Sequence, residues 1–354
     1  MRWMWVMLAL VPISILMGIF HAPPTWVFVA SCLAIIPLAG TMGVATEELA
    51  KYRGQAIGGL MNATFGNATE LIIAIVAVFN GEVDIVRASL IGSIVGNLLL
   101  VFGLSALLGG LKFKEQNFSK DAAGTHSSMM TIAVISLLVP AIFVRSVPHL
   151  HEADLRVQNL SLCVAGVLIA LYIGGLIFSL VTHQSAFVSH EAEQHEPATM
   201  KQSTALWILL ASTVAIAFES ELLVRSIEPV VHALHMSKFF LGIILIPIIG
   251  NAAEHSTAVV MAMKNKMDIS LNIAISSATQ IAMFAAPVII FVSAFSPHHV
   301  SILFSNVELI SVIVAVVITG QVTRDGKTNW LEGAQLLAVY IIIALAFFFI
   351  PASG

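Results

Sequence analysis

Apolar stretches long enough to cross a lipid bilayer fill most of this chain, and that feature restricts its fold more than any other. A spanning helix needs about 20 mostly apolar residues, and the 354 residues are 58% hydrophobic but only 10% charged. A soluble domain has about 25% charged residues. The sequence therefore excludes an ordinary soluble protein and predicts an all-α polytopic membrane protein. Its eleven predicted spans cover approximately residues 3–21, 24–49, 56–79, 83–109, 122–144, 154–182, 202–226, 238–263, 267–295, 299–320 and 328–350.

The remaining composition narrows the class further. The net charge is −4, which offers no basic surface for nucleic acid. Cys32 and Cys163 fall in apolar spans, where we expect free thiols that pack as small hydrophobic groups. The first apolar run ends at Phe20 without the small-residue pattern of a cleaved signal peptide, so we expect a retained first helix.

The positive residues predict the orientation in the membrane. On the side of the N-terminus lie Arg2, Lys51, Arg53, Lys112, Lys114, Lys120, Lys201, Lys264, Lys266, Arg324 and Lys327. On the other side lie Arg87, Arg145, Arg156, Arg225 and Lys238. Cytoplasmic loops carry the excess of Lys and Arg. We therefore expect a plasma membrane of bacterial type, with the N-terminus in the cytoplasm and the C-terminus outside.

A five-residue motif occurs twice in the chain. Gly66-Asn67-Ala68-Thr69-Glu70 returns 184 positions later as Gly250-Asn251-Ala252-Ala253-Glu254. At the same offset the identities continue into the following span, where Asp84, Ile85, Ile91 and Ser93 match Asp268, Ile269, Ile275 and Ser277. An ungapped match across two consecutive spans predicts an internal repeat.

The repeat divides the chain into two halves of five spans each. We expect an extra N-terminal helix at 1–23, a first repeat at 24–182, an acidic cytoplasmic loop at 183–202 and a second repeat at 203–354. Because five is an odd number, the two copies must cross the membrane in opposite directions. That is the inverted-repeat plan of secondary transporters, whose binding site lies near the midplane at the repeat interface.

The glutamates of the motif indicate the kind of site. A charged side chain at the centre of a membrane helix costs about 2.5 to 3.5 kcal/mol, so Glu70 and Glu254 predict an ion or proton pathway. The alternative is two unrelated carboxyls, each hydrogen-bonded within the bundle. Asn67 and Asn251 stand three residues earlier, on the same helical face. Carboxylate and amide oxygens suit a hard cation such as Ca²⁺, and no Cys or multi-His cluster indicates zinc or copper.

The pair of glutamates also predicts how such a site is emptied. Two carboxylates facing each other in a medium of low dielectric repel, so without a cation they should hold protons. One divalent cation or up to two protons neutralises the pair, and the two ligands therefore compete. We expect antiport by that competition, with no cofactor and no enzymatic activity.

With these motifs the chain resembles the cation/proton exchanger family of the Ca²⁺:cation antiporter superfamily. The resemblance rests on the two motifs and on their partner segments at 92–97 and 276–280. It implies a Ca²⁺/H⁺ antiporter fold with Glu70 and Glu254 as central ligands. The resemblance also implies that the site is lined by Asn67, Ser93, Asn97, Asn251, Ser277 and Gln280, and that Glu47 and Glu219 lie along the ion or proton path.

Several readings stay open at this point. A relative coupled to Na⁺ or K⁺, or one preferring Mn²⁺, has the same fold, although the neutral amides of Asn97 and Gln280 speak against Na⁺. A passive channel is not excluded, whereas hydrolase signatures are absent from the sequence. His255 is either a packing residue or a proton relay. Four acids have an alternative to a role in the ion pathway, namely a place at the membrane interface with the carboxyl group in water: Glu47, Glu48, Glu219 and Glu221. The 183–202 loop is either solvated or regulatory, and the oligomeric state, including a homo-oligomer, is undetermined.

Overall fold

The computed structural model describes residues 6–147, 154–183 and 198–350, and over those ranges the chain is a bundle of helices with one small sheet. The first-half helices are α1 (Leu10–Ile19), α2 (Pro24–Lys51), α3 (Gly54–Phe65), α4 (Ala68–Phe79), α5 (Val83–Phe113), α6 (Lys120–Ser146) and α7 (Leu155–Thr182). The second-half helices are α8 (Gln202–Leu234), α9 (Lys238–Gly250), α10 (Ala252–Met263), α11 (Met267–Ser293), α12 (Asn306–Val322) and α13 (Trp330–Phe348). The predicted all-α membrane class is confirmed.

The length and composition of the helices agree with a membrane protein. Seven described helices are long and apolar enough to cross a bilayer, and the bent pair α9 and α10 makes an eighth if it is one span. The helices α1, α4 and α12 are apolar but shorter. The count of eleven spans and the division at 1–23, 24–182, 183–202 and 203–354 stay predictions. The polar run from His190 to Glu196 lies outside the described residues.

Both spans that carry the motif are broken, a feature that the sequence did not predict. The first span is interrupted between α3 and α4, and the second bends by 65° between α9 and α10. The breaks fall at Asn67 and Asn251, whose φ is −100° in both cases and whose ψ is 22° and 8°. Asparagine competes for backbone hydrogen bonds in non-helical conformations. The regular hydrogen bonding of the helix backbone is therefore interrupted at the asparagine of each motif.

The centre of the bundle is formed by α5 and α11, which hold the corresponding positions in the two predicted repeats. Their apolar windows are 83% and 67% buried, against 28% and 17% for α6 and α7. At Gly92 the backbone of α5 meets α9 so closely that a Cβ would lie 2.1 Å from the Ile243 carbonyl oxygen. This contact requires glycine, and it places the Ile243 carbonyl against α5. Ile243 is the carbonyl that Pro247, four residues later, leaves without its helical donor.

A two-stranded antiparallel sheet, which the sequence did not predict, ties one end of the bundle together. Strand β1 (Glu115–Asn117) pairs with strand β2 (Lys327–Asn329). From β1, the Gln116 amide donates to the Ala262 carbonyl at 2.8 Å and to Asn265 Oδ1 at 3.1 Å. The sheet therefore fixes the corner between α10 and α11, and with it the end of the helix that begins at the second motif.

Polar contacts close the opposite end, where α4 meets α8 and α5 meets α9. The Asn80 amide donates to Glu221 Oε2 at 3.0 Å, and Lys238 Nζ lies 3.0 Å from Glu82 Oε2. Each contact joins a residue of the first half to one of the second. These polar contacts therefore join the two halves at this end of the bundle.

Candidate functional site

The two motif glutamates lie in equivalent backbone positions. Glu70 stands in the first turn of α4 and Glu254 in the first turn of α10, each three residues after the asparagine at the helix break. The N-terminus of a helix carries partial positive charge from its free N–H groups. Broken helices with such ends inside the membrane are how transporters build ion sites. The break therefore places both carboxyl groups where backbone dipoles favour negative charge.

Each motif glycine faces the glutamate of the other motif. A Cβ built at Gly66 would lie 3.4 Å from Glu254 Oε1, and a Cβ built at Gly250 would lie 3.3 Å from Glu70 Oε1. The reciprocal contacts bring the two copies of the motif together, as the sequence predicts. Glycine at both positions leaves the space that the opposite carboxyl occupies.

A chain of hydrogen bonds connects the first motif to α5 and α11. The Asn67 amide donates to Gln280 Oε1 at 2.5 Å, and Ser277 Oγ donates to Asn67 Oδ1 at 2.9 Å. The Asn97 amide in turn donates to Ser277 Oγ at 3.0 Å. Asn97 lies in a π-helical turn of α5, and Gln280 directly precedes one in α11. Such turns inside helices are often found at functional sites.

The second motif has fewer polar neighbours. The Asn251 amide donates to the Pro247 carbonyl at 3.2 Å and lies 3.5 Å from Ser93 Oγ. Ser93 and Ser277 correspond in the repeat, and each lies beside the asparagine of the other half. The amides of Asn97 and Gln280 have no counterpart in the other half, because the residues at the corresponding positions are Ile281 and Gly96. The site is therefore symmetric in its glutamates and asymmetric in its amides.

The oxygens at the centre of this cluster are buried without hydrogen-bond partners in the described part of the chain. They are both oxygens of Glu70, Oε2 of Glu254 and Oδ1 of Asn251. A buried polar atom that lacks a partner costs about 1 to 3 kcal/mol. Four such oxygens within one polar cluster therefore indicate a position for something that supplies positive charge or hydrogen.

A cavity of about 410 Å³ leads to this cluster from the side of α2. Its lining includes Gly43 and Glu47 of α2, and Gly250 and Glu254 of the second motif. Glu254 also lines a neighbouring polar cavity of about 240 Å³ with Asn272, Ser277 and Gln280. Gly250 contacts both the cavity and Glu70, which is 9% exposed. Glu254 is thus the carboxyl nearer the cavity, and Glu70 lies deeper.

Glu47 and Glu48 at the end of α2 differ in their surroundings. The Glu47 side chain is 70% exposed and lies 3.7 Å from Lys51 Nζ. Glu48, which the sequence treats as an interfacial acid, is buried; its Oε2 accepts from the backbone N–H groups of Thr199 and Met200 at 2.7 and 2.9 Å, and Lys51 donates to its Oε1 at 2.8 Å. Glu48 therefore joins the end of α2 to the segment just before α8.

Two predicted pathway residues lie elsewhere in this conformation. Glu219 is fully buried and contacts Ser14 of α1. The partly buried His255 has a buried Nε2 atom without a partner in the described part of the chain. The residue that sequence reasoning missed is Asn62, which lines both of the cavities that Glu254 lines. The feature of the sequence that could have identified Asn62 is an amide side chain one helical turn before Gly66.

The residues described hold no group of three or more His, Cys, Asp or Glu side chains that could bind a metal together. A cation in the cluster would therefore have two carboxylates as its charged ligands, with amide, hydroxyl or water oxygens as the rest. Ca²⁺ takes six to eight oxygen ligands in flexible geometry. The donor set around Glu70 and Glu254 has this character.

Comparisons with known proteins agree over the whole chain. The family model described as sodium/calcium exchanger protein matches residues 23–181 and 204–349. A Ca²⁺/H⁺ antiporter of Aphanothece halophytica is 45% identical, over 98% of this chain and 96% of the relative. The Ca²⁺/H⁺ antiporter ChaA of Bacillus subtilis is 43% identical, over 96% of each chain. The solved structure of native YfkE superposes with a TM-score of 0.85 at 39% identity, covering 98% of this chain and 99% of YfkE.

Proposed function

Because the chain belongs to the sodium/calcium exchanger protein family, we propose that it is a secondary Ca²⁺/H⁺ antiporter in which Glu70 and Glu254 bind Ca²⁺ or protons in turn. The observation that carries the proposal is the pair of carboxyl groups, each against the glycine of the other motif, with buried oxygens that lack partners in the described part of the chain. The named relatives that are Ca²⁺/H⁺ antiporters support this choice of cation and counter-ion.

Competition at one site couples the two fluxes. Two ionised carboxylates in a buried cluster repel each other unless a cation or protons neutralise them. A Ca²⁺ ion held between Glu70 and Glu254 leaves no room for protons on the same oxygens, and protonated carboxyls no longer attract the ion. The site therefore changes sides carrying one ligand or the other, and needs no cofactor.

The polar side chains around the two glutamates have two roles: some present oxygens to the cation, and others hold those oxygens in position. Asn67, Asn251 and Ser277 present oxygens beside the carboxyls, while Asn97 holds Ser277 in position. Ser93 accepts a hydrogen bond from the Asn251 amide and so holds that side chain in position. Gln280 accepts from Asn67 and so directs the Asn67 Oδ1 atom toward Ser277.

The direction of transport follows from the cavity and the charges. Glu47 stands on the cavity that leads to Glu254, and the positive-residue count predicts that this end of α2 is cytoplasmic. In this scheme Ca²⁺ enters from the cytoplasm past Glu47, meets Glu254 first and is released outside in exchange for protons. His255 as a proton relay and the homo-oligomer stay predictions.

The decisive experiment measures radioactive Ca²⁺ uptake into everted membrane vesicles with an imposed pH difference. We expect accumulation by the wild type that collapses with the gradient, and uptake at background for Glu70→Gln and Glu254→Gln. Glu115→Gln is the matched control, because this glutamate lies in β1 and pairs with Lys327 at the surface. Undiminished proton-driven uptake by either site variant would show that the assignment is wrong.

The same vesicles separate the alternatives. A Na⁺- or K⁺-coupled exchanger would accumulate Ca²⁺ under a gradient of that ion with the pH difference collapsed. A passive channel would admit Ca²⁺ without any change in lumenal pH. Mn²⁺ preference would appear as stronger inhibition of labelled Ca²⁺ uptake by Mn²⁺ than by unlabelled Ca²⁺.

A further inference from the structure

Another buried carboxyl group, that of Glu219, lies away from the site, at the junction of α1, α2 and α8. Glu219 of α8 is 0% exposed, as is Ser14 of α1, the side chain that contacts it. Ser14 Oγ lies 2.5 Å from Glu219 Oε1. The helix α1 stands outside the predicted repeat, so this contact attaches an additional helix to the bundle.

The hydrogen count at Ser14 indicates the protonation state of Glu219. Ser14 Oγ lies 2.8 Å from the Val11 carbonyl oxygen as well as 2.5 Å from the Glu219 carboxyl. A serine hydroxyl has one hydrogen and the carbonyl has none, so Ser14 can donate to only one of these oxygens. If Glu219 carries the proton, it donates to Ser14, and Ser14 donates to Val11. Both contacts are then hydrogen bonds.

The surroundings of Glu219 favour a neutral acid as well. Among the described residues Ser14 is its hydrogen-bond partner at Oε1, and the buried Oε2 atom has none. The titratable or charged residues of the helices packed against it are Cys32, Glu47, Glu48 and Lys51 on α2, Glu70 on α4, and Glu221, Arg225, Glu228 and His232 on α8; α1 has none. The charged residues of α2 lie at the C-terminal end of that helix. On α8, Arg225 pairs with Glu221. An isolated buried carboxylate is far more costly than a neutral, hydrogen-bonded acid.

The comparison with Glu47 shows what α1 contributes. Glu47 lies near the end of α2, whereas Glu219 lies in the middle of α8. The Glu47 side chain is 70% exposed, whereas Glu219 is sealed beneath α1. Next to it, Gly18 of α1 lies so close to Leu222 that a Cβ would be 2.6 Å from the leucine Cδ2. The additional helix therefore covers the acid of one half only.

We propose that Glu219 carries a resident proton, not a transported one, and that this protonated carboxyl fastens α1 to α8. Ionisation would leave Ser14 with one hydrogen for two acceptors, and would leave a buried charge without an ion pair to any described residue. Attachment of α1 is therefore expected to depend on the proton, while exchange at Glu70 and Glu254 proceeds without releasing it.

Infrared difference spectroscopy of the purified full chain tests the proposal. The wild type minus Glu219→Gln spectrum at neutral pH should contain the carbonyl band of a protonated carboxylic acid, unchanged by saturating Ca²⁺. Its absence would show an ionised Glu219, and its loss on adding Ca²⁺ would show that the proton is exchanged. Either result overturns the proposal.

Stability measurements provide the second readout. The Gln amide can donate to Ser14 as the protonated acid does, so Glu219→Gln should keep the wild-type melting temperature and the amide exchange rate of residues 10–19. Ser14→Ala should lower the melting temperature by a few degrees and speed exchange in that helix. Rapid exchange of α1 in Glu219→Gln would show that the charged form, not the acid, makes the attachment.

Discussion

Replacing Gly250 by alanine should weaken Ca²⁺ binding without unfolding the protein. The added Cβ would lie 3.3 Å from both Cγ and Oε1 of Glu70. Carbon atoms in good contact are about 3.5 to 4.0 Å apart, so the Glu70 side chain must retreat by a few tenths of an ångström. Calcium accepts oxygens only between about 2.3 and 2.6 Å. A displacement of that size moves one carboxylate out of range.

The magnitude follows from losing good geometry at one of the two charged ligands. We expect about a tenfold rise in the Ca²⁺ concentration for half-maximal uptake, which corresponds to about 1.4 kcal/mol. Proton binding needs no such coordination distance, so the maximal proton-driven rate at saturating Ca²⁺ should change much less. Since alanine has the higher helix propensity, the fold should survive.

The assay is initial Ca²⁺ uptake against Ca²⁺ concentration in everted vesicles, with protein amount and melting temperature measured in parallel. Gly43→Ala is the matched control, because Gly43 lines the same cavity and a Cβ there meets no atom within 4 Å. It should leave the concentration dependence unchanged. Wild-type affinity in Gly250→Ala, or an equal loss in both variants, would refute the reasoning from this contact.

Three further outcomes are expected. Lowering the pH on the cytoplasmic side should raise the apparent Ca²⁺ KM by about tenfold per unit for one competing proton and up to about a hundredfold for two, as uptake titrations would show; a flat profile would exclude competition. Glu48→Ala should speed hydrogen exchange at the amides of residues 199 and 200, measured by mass spectrometry, because the oxygen that accepts from both is lost; unchanged exchange would mean that this contact is not formed. Gly92→Ala should abolish folded protein in detergent size-exclusion chromatography, because its Cβ would lie 2.1 Å from the Ile243 oxygen; a monodisperse variant would contradict that packing.

The sequence predicted the pair of glutamates but not the backbone that presents them. Identical spacing of Asn67 and Glu70 with Asn251 and Glu254 was enough to place two carboxyls together. The helix breaks at the two asparagines were missed, because an asparagine inside an apolar stretch lowers helix propensity only modestly. Tertiary contacts decide whether the helix continues.

Contacts between distant segments account for the other differences. Glu48 has no feature in sequence that separates it from Glu47, yet it binds two backbone amides more than 150 residues away. Strand β1 is only three residues long and polar, so no periodic pattern marks it. Such features depend on partners that a local pattern does not contain.

The pairing of β1 with β2 also has a consequence for the order of events during synthesis. Lys327 and Glu115, which join the two strands through an ion pair, are separated by 212 positions. The ribosome must therefore make seven more helices, α6 to α12, before Gln116 and its neighbours on β1 gain their strand partner. A nascent chain stopped before Lys327 would leave that edge unpaired, and the corner between α10 and α11 would reach its final rigidity only when the last helix enters the membrane.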